Sequence, residues 1–393
     1  MVTTLATRIG QVKPSLTLAI AAKAKAMKAA GEDICGFGAG EPDFDTPEFI
    51  KAAAVRALQD GHTKYGPAAG MPALREAIAT KLQTENQLPF QTENVLVTNG
   101  GKQSLFNLAM TMLQPGDEVI LPAPYWVSYA AMVAMAEATA VVVKTEEANQ
   151  FKMTAAQLDA AITPKTKLLM LNSPSNPTGA VYSRAELEAI AEVVLKHQLY
   201  VVSDEIYEKL IYDGCEHVSI GSLSPEIFQR TIVSSGFAKA YAMTGWRLGY
   251  LAAPTDIAKA AITLQSHSTS NVCTFAQYGA LEALANPASE KAIATMHRAF
   301  TERREVIYQK LAAIPGVTCP KPMGAFYVFP NISAFGLDSI AFCDRLLETQ
   351  RVAAVPGIAF GADECIRMSY ATDLPTIETG CDRLATFASA LES

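Results

Sequence analysis

VLVTNGGKQSLFNLAMTMLQPGDEVIL, residues 95–121, decides the fold. Val95 to Asn99 is a short β-branched, apolar run that reads as a strand. Gly100-Gly101 makes a turn, Lys102 to Leu113 reads as a helix, and Glu118 to Leu121 reads as the next strand. The same unit recurs outward along the chain. Lys167 to Leu171 is a buried strand that runs into a Pro/Asn-rich loop. Ala185 to His197 is a helix, and Tyr200 to Ser203 a strand ending at Asp204. Thr231 to Ser234 is a strand that leads to Lys239, and Arg247 to Ala252 is another. Strands that alternate with helices predict a mainly parallel sheet covered by helices on both faces, an α/β fold. On the N-terminal side, Ser15 to Ala30 reads as a helix capped by Ser15 after Pro14. On the C-terminal side, a helical stretch from Gln277 to Ile314 breaks near Asn286-Pro287. The segment after Pro315 reads as a smaller α+β unit containing strands at 326–329 and 366–369.

The bulk numbers fit a globular protein of two or three domains: 393 residues, half of them hydrophobic and 18% charged. The net charge of −7 is spread along the chain, which argues against a nucleic-acid surface. A small anionic ligand must then be met by a local group of basic residues. The seven cysteines are widely spaced without a CxxC pair, and the five histidines form no HxxxH pair. These counts predict neither disulfides nor a metal site, and a reducing, cytoplasmic setting. The N-terminal residues carry no apolar run of a signal peptide. The most membrane-like stretch, Ala130 to Val143, is too short to span a bilayer and contains Glu137; it reads as a buried helix followed by a core strand.

In an open α/β sheet, ligands gather at the carboxyl ends of the strands. Gly100-Gly101-Lys102, Asn176, Asp204 and Lys239 all fall at such ends. Lys239 sits among small and apolar neighbours, which lower an ammonium pKa and favour imine formation. Arg247, eight residues on, suits a bidentate phosphate contact. A carboxylate such as Asp204 at a buried strand end needs a partner. A pyridinium nitrogen supplies one; capping of a following helix is the structural alternative. Tyr207 and Asn176 are placed to hydrogen-bond the phenolic oxygen of the same ring, and Asn176 a substrate carboxylate. Gly100 and Gly101 open a helix whose free N–H groups suit a phosphate. Trp126 offers a stacking face. Gly36, Gly38 and Gly40 resemble a dinucleotide fingerprint, but the third glycine comes one position early and a loop follows, which disfavours a nicotinamide enzyme.

These residues, with AGEPDFDTP, KYGPAAG, PYWVSY, NSPSNPTGAVY, VSDEIYEKL, FAKAYAMTGWRLGY, GAFYVF and IRMSYA in order, make the sequence resemble the class-I aminotransferases of fold type I, and most of all the bacterial I-beta aspartate aminotransferases. The resemblance implies pyridoxal 5'-phosphate bound to Lys239. It implies a large domain (46–290) with a mainly parallel seven-stranded sheet flanked by helices, a smaller α+β domain (291–393), and an N-terminal segment (1–45) joining the latter. It implies that Lys239 is the proton shuttle, that Gly100, Gly101, Lys102, Trp126, Asn176, Asp204, Tyr207 and Arg247 bind the cofactor, and that Tyr65 reaches the cofactor of a neighbouring subunit in a homodimer with shared sites. Gly40, Trp126, Asn176 and Arg367 would hold the substrate, and Lys102 its distal carboxylate. Arg8 and Thr17 lie in a segment that closes over the site in similar enzymes. Two phosphate-binding hydroxyls common in the wider class are missing at Gly236 and Ala238, with Ser234 and Ser235 close by. The expected substrates are dicarboxylic amino acids and 2-oxo acids: aspartate and 2-oxoglutarate giving oxaloacetate and glutamate. Alternatives are a prephenate or aromatic aminotransferase, and a lyase on the same cofactor. A sensing domain of a transcription regulator is disfavoured because the pattern begins within the first forty residues. No membrane or nucleic-acid partner is expected.

Overall fold

The computed structural model describes residues 6–12 and 16–392. Among the described residues, seven strands form one sheet: β1 (Val95–Thr98), β2 (Glu118–Ala123), β3 (Thr139–Lys144), β4 (Thr166–Asn172), β5 (Tyr200–Asp204), β6 (Thr231–Gly236) and β7 (Gly249–Ala252). Their spatial order is β1-β7-β6-β5-β4-β2-β3. The pairs β2/β3, β2/β4, β4/β5 and β5/β6 are parallel, whereas β7 runs antiparallel to both β1 and β6. The expected mainly parallel seven-stranded sheet is present.

The two-residue period of a strand divides its side chains between the two faces. Val95 and Val97 of β1 pack with Ile50, Leu74, Ile78 and Ala276, from the helices Glu48–Gln59, Pro72–Glu85 and Thr274–Ala285. Leu96 packs on the other face with Leu105, Leu108 and Ala258, from the helices Gly101–Met112 and Thr255–Ser268. Each of the Val, Leu and Ile side chains taken fully out of water contributes about 1.5–3 kcal/mol. This burial holds the strand ends, and the residues on them, in fixed register.

Several expectations need correcting in detail. After the buried helix Ser128–Met135 comes β3, which is not a core strand. It lies at the sheet edge with only β2 beside it, and Val142 is 45% exposed. The expected strand from Arg247 begins only at Gly249. Arg247 itself ends a 3-10 turn, Thr244–Trp246, with φ +55°. No helix follows Asp204, so the capping alternative fails: the chain makes turns there, and the backbone N–H of Ile206 donates to Asp204 Oδ1 at 3.3 Å. The long C-terminal helical stretch breaks where Asn286-Pro287 predicts, into Thr274–Ala285 and Ala288–Ala312. The N-terminal helix spans Leu16–Ala29, and its expected cap, Ser15, lies outside the described residues.

The C-terminal part carries a three-stranded antiparallel sheet of Val355–Pro356, Ile366–Ser369 and Tyr327–Val328. Cys35–Gly36 pairs in parallel with Val352–Ala353, and the Ser369 N–H donates to the Phe37 carbonyl at 2.8 Å. Phe37 therefore shares one core with Phe300, Phe326, Phe342 and Leu384. This stitching brings Gly38 to Glu41 and Arg367 over the carboxyl ends of β4, β5 and β6. Among the described residues no helix is long and apolar enough to cross a membrane.

Candidate active site

Parallel register sets the floor of the site. Asn172 pairs with Asp204, and Asp204 with Ser234, so the ends of β4, β5 and β6 form one row. Above it lies a cavity of about 590 Å³. Gly40, Gly101, Lys102, Trp126, Asn176, Asp204, Tyr207, Lys239, Arg247 and Arg367 all line it, so most of the expected site residues converge.

Lys239 follows β6 between the buried Ala238 and Ala240. Its ammonium donates to the Gly40 carbonyl and lies 5.8 Å from the Tyr207 ring centre and 5.7 Å from that of Phe326. Burial pushes its pKa down to about 8; Glu41 opposes the shift, while Arg367 and Arg247 add to it. A substantial neutral fraction near pH 8 suits an amine nucleophile or proton acceptor.

Asp204 is 6% exposed, and its Oδ2 accepts from the Tyr129 hydroxyl at 2.7 Å. Burial pushes its pKa up to about 6, although the Tyr129 hydrogen bond and the Ile206 N–H both favour the charged form. A carboxylate held this way gains most from a cationic partner. The Tyr207 hydroxyl shares a 2.9 Å hydrogen bond with that of Tyr327. Asn172 Nδ2 donates to the Asp204 carbonyl at 2.9 Å, and Asn172 Oδ1 accepts from the Asn176 N–H at 2.8 Å. That relay fixes the loop carrying Asn176.

Arg367 is 3% exposed, with its guanidinium 4.5 Å from the Tyr327 ring centre. Nη1 donates to Asn176 Oδ1 at 3.0 Å and Nη2 to the Gly38 carbonyl at 3.0 Å. Nε is buried and has no partner among the described residues. Lys102 is exposed, its Nζ 5.0 Å from the Trp126 ring centre. Its pKa is lowered, chiefly by burial and then by Arg247.

A cradle forms where β1 meets the helix Gly101–Met112. Gly100 has φ +87°, and a Cβ there would lie 2.6 Å from Arg247 Nη2. A Cβ on Gly249 would lie 2.4 Å from the Gly101 nitrogen. Glycine at these positions lets a guanidinium and free helix N–H groups approach one another, an anion-binding arrangement. Gly100→Ala is expected to strain the backbone by about 1–3 kcal/mol, because φ +87° and ψ 162° form a glycine-only conformation, and to displace Arg247. Its melting temperature should fall, and its phosphate affinity should drop at least about 10-fold by calorimetry.

Some expected residues stand apart. Tyr65 is 91% exposed and does not line this cavity. Arg8 is exposed on the short helix Thr7–Gly10, which packs near Ser128–Met135, and Thr17 falls in the helix Leu16–Ala29. Ser234 and Ser235, close in sequence to the missing phosphate hydroxyls, do not line this cavity. Ser234 Oγ is 2.5 Å from Ser104 Oγ, Ser235 Oγ donates to the Glu205 carbonyl at 3.4 Å, and both are buried under the sheet end. The hydroxyl residue on the cavity wall beside Arg247 is Thr244, whose Oγ1 donates to Glu41 Oε2 at 2.7 Å. Tyr129 and Tyr327 escape the residue-by-residue reading, although both lie in segments that suggested the resemblance, SY after Trp126 and GAFYVF.

Known proteins share both the sequence and the shape. The profile of the family described as aminotransferase class I and II matches residues 32–384. An aspartate aminotransferase of Geobacillus stearothermophilus is 49% identical over 98% of this chain and 99% of its own. An aspartate/prephenate aminotransferase of Cereibacter sphaeroides is 47% identical over 98% and 99%. The solved structure of Thermus thermophilus aspartate aminotransferase with maleate superimposes with a TM-score of 0.94, at 45% identity, over 98% of this chain and 99% of that one.

Proposed function

Because the chain belongs to the class I and II aminotransferases, we propose that it moves the amino group of aspartate to 2-oxoglutarate with pyridoxal 5'-phosphate held at Lys239. The observation that carries this reading is the meeting, in one cavity, of the depressed Lys239 amine, the buried Asp204 carboxylate, the Gly100/Gly101/Arg247 cradle and the half-partnered Arg367. Each fits one part of the cofactor or substrate: aldehyde, ring nitrogen, phosphate and α-carboxylate.

When bound, the cofactor supplies an electron-withdrawing ring that takes up the electron pair left when a proton departs from the substrate Cα. Lys239 provides the amine that holds the cofactor's aldehyde carbon. Its amine, when free, would take the substrate Cα proton and deliver it to the cofactor's aldehyde carbon. Asp204, kept in line by Tyr129, pairs with the ring nitrogen and keeps its proton in place. Tyr207 and Asn176 donate to the phenolic oxygen. Trp126 stacks on the ring. Gly100, Gly101 and Arg247 anchor the phosphate, with Lys102 adding positive charge nearby. Arg367 binds the α-carboxylate through its unfilled donor, assisted by Gly40 and Asn176, and Lys102 meets the distal carboxylate. A dicarboxylate thus finds two separate cations. The maleate-bound Thermus relative supports this substrate class.

Several further readings belong to the same proposal. Tyr65, aromatic yet 91% exposed, reaches the phosphate site of a second copy in a homodimer. Residues 46–290 form the cofactor-holding unit, and residues 1–45 with 291–393 the smaller one; the core shared by Phe37, Phe300 and Leu384 supports that division. Seven free cysteines fit a cytoplasmic setting.

Steady-state rates with aspartate, prephenate and aromatic substrates, each with its proper partner, test the substrate. Aspartate with 2-oxoglutarate should give the highest kcat/KM. Prephenate ahead of oxaloacetate as acceptor would favour the second reading, to which the Cereibacter relative's name points. Arg367→Met should lower kcat/KM for every amino acid by about 10²- to 10³-fold, because it removes a charge-assisted bond to a group all of them carry. Lys102→Met should cost aspartate about 2- to 5-fold and an aromatic amino acid less.

A further inference from the structure

Next to Asp204, Glu205 is 1% exposed and plays no part in the proposed chemistry. Alternation at the end of β5 turns it away from its neighbour's side. Its carboxylate accepts from Ser203 Oγ at 2.8 Å, Ser219 Oγ at 2.5 Å and Asn86 Nδ2 at 3.3 Å, and His217 Nε2 lies 3.0 Å away. Its backbone N–H donates to the Ser234 carbonyl at 2.9 Å, so this carboxylate is fixed relative to the floor of the site.

The surroundings form one charged group buried behind the cavity. The helix Pro72–Glu85 brings Lys81, 2.5 Å from Glu208 Oε1, together with the outer Glu85. Asn86 accepts from Lys81 and donates to both Glu205 and Glu208. The turn after β5 adds Lys209, paired with Glu85 at 2.6 Å. The phenols of Tyr241 and of Tyr250 on β7 lie within electrostatic reach of Lys81 and Glu208. Ligand atoms of Glu205, Glu208 and His217 lie within 4.8 Å of one another, as in a metal site, but the Lys81 ammonium already supplies the cation beside Glu208. Lys81 balances one of the two inner carboxylates. His217 balances the other only when protonated. Burial is the largest single influence and opposes that protonation, as does Lys81, but Glu205 and Glu208 together outweigh them and leave the His217 pKa above its ordinary value. His217 Nδ1 is buried without a partner among the described residues, so the ring has one strong contact, Glu205.

We propose that Glu205 and His217 are positioning residues for Asp204: the charge remaining on this pair sets how firmly Asp204 holds the proton of the cofactor's ring nitrogen. The negative charge of Glu205 already acts on Asp204 in the direction that favours a nearby proton. Removing the positive charge of His217 strengthens that pull, and removing the negative charge of Glu205 weakens it. This inference rests on the reading that pyridoxal phosphate occupies Lys239 and Asp204.

The test titrates with pH the visible absorbance of pyridoxal phosphate-loaded protein, which follows the proton on the nitrogen joining Lys239 to the cofactor and responds to the charge that Asp204 sustains on the ring, in four proteins: wild type, His217→Gln, Glu205→Gln and Ser219→Ala. The midpoint should rise by about 0.3–1 pH unit in His217→Gln and fall by less than that in Glu205→Gln, where His217 loses the charge that favours its own proton. Ser219→Ala removes a hydrogen bond to Glu205 without changing charge, so its melting temperature should fall while its midpoint stays within about 0.2 unit of wild type. Midpoints that move the same way in both charge variants, or in neither, overturn the proposal. If Glu205→Gln does not fold, equal midpoints in His217→Gln and Ser219→Ala overturn it, and a rise in His217→Gln alone supports it. A wild-type protein with no titrating visible band would instead remove the cofactor assignment itself, and this inference with it.

Discussion

Lys239→Ala is expected to lose at least about 10⁴-fold in kcat for transamination, together with the visible band that arises from covalent attachment of the cofactor to Lys239. Two contributions vanish at once: the amine that holds the aldehyde carbon and the base that carries the proton between two carbons. Neither has a substitute close by. Lys102 lines the same cavity, but its ammonium rests by Trp126, whereas Lys239 lies between Gly40, Tyr207 and Phe326. Lys102→Ala should therefore retain the visible absorbance that Lys239→Ala loses. The alanine variant should still bind pyridoxal phosphate non-covalently, because the Gly100/Arg247 cradle is untouched. Turnover within about 10-fold of wild type in Lys239→Ala would refute the assignment of the proton shuttle.

Asp204→Asn should reduce kcat by about 10²- to 10⁴-fold, the consequence of taking about 3–5 kcal/mol from a buried ion pair. The substitution keeps the side-chain shape but removes the charge that holds the ring nitrogen's proton. Without cofactor the sign reverses. The Asp204 pKa is about 6 in the folded protein, against 3.8 ordinarily. Between pH 4 and pH 6 the folded state holds a proton that the unfolded state releases, so stability falls as pH rises through that window. Above it, the cost is fully present, at most about 3 kcal/mol. Cofactor-free Asp204→Asn should thus melt no lower than wild type at pH 8, with any advantage gone below pH 4. A loaded wild-type protein should melt above the loaded variant. Differential scanning calorimetry at the two pH values, with and without pyridoxal phosphate, reads both signs.

Much of this arrangement is legible in the sequence because strand ends announce themselves. Asp204 and Lys239 close apolar runs, and Gly100-Gly101 opens a helix, so the α/β pattern alone places them at one edge of the sheet. Patterns of two residues or a single side chain are harder to read. Tyr129 lies on a helix whose apolar character hides its one polar contact, the Asp204 carboxylate. Glu205 looks like an ordinary charged residue of a surface turn, yet four neighbours from three separate segments bury it. The edge position of β3 depends on strand order, which local periodicity does not encode. Ser234 and Ser235 sit near enough in sequence to serve the phosphate. Ser104 in the first turn of Gly101–Met112 engages Ser234, and the Glu205 carbonyl takes the Ser235 hydroxyl, which only packing reveals. Arg367 is the opposite case. Its proposed role is implied by the resemblance alone, and the fold supports it by bringing a strand more than a hundred residues away from Lys239 onto the same cavity, fixed through Phe37 and Gly38.

The most direct measurement is borohydride reduction of the protein loaded with pyridoxal phosphate, followed by digestion and peptide mass spectrometry. A phosphopyridoxyl group found on the peptide carrying Lys239, and absent from it when substrate amino acid is added first, is the predicted result. The group on Lys102 or another lysine, or no stable attachment at all, would contradict it.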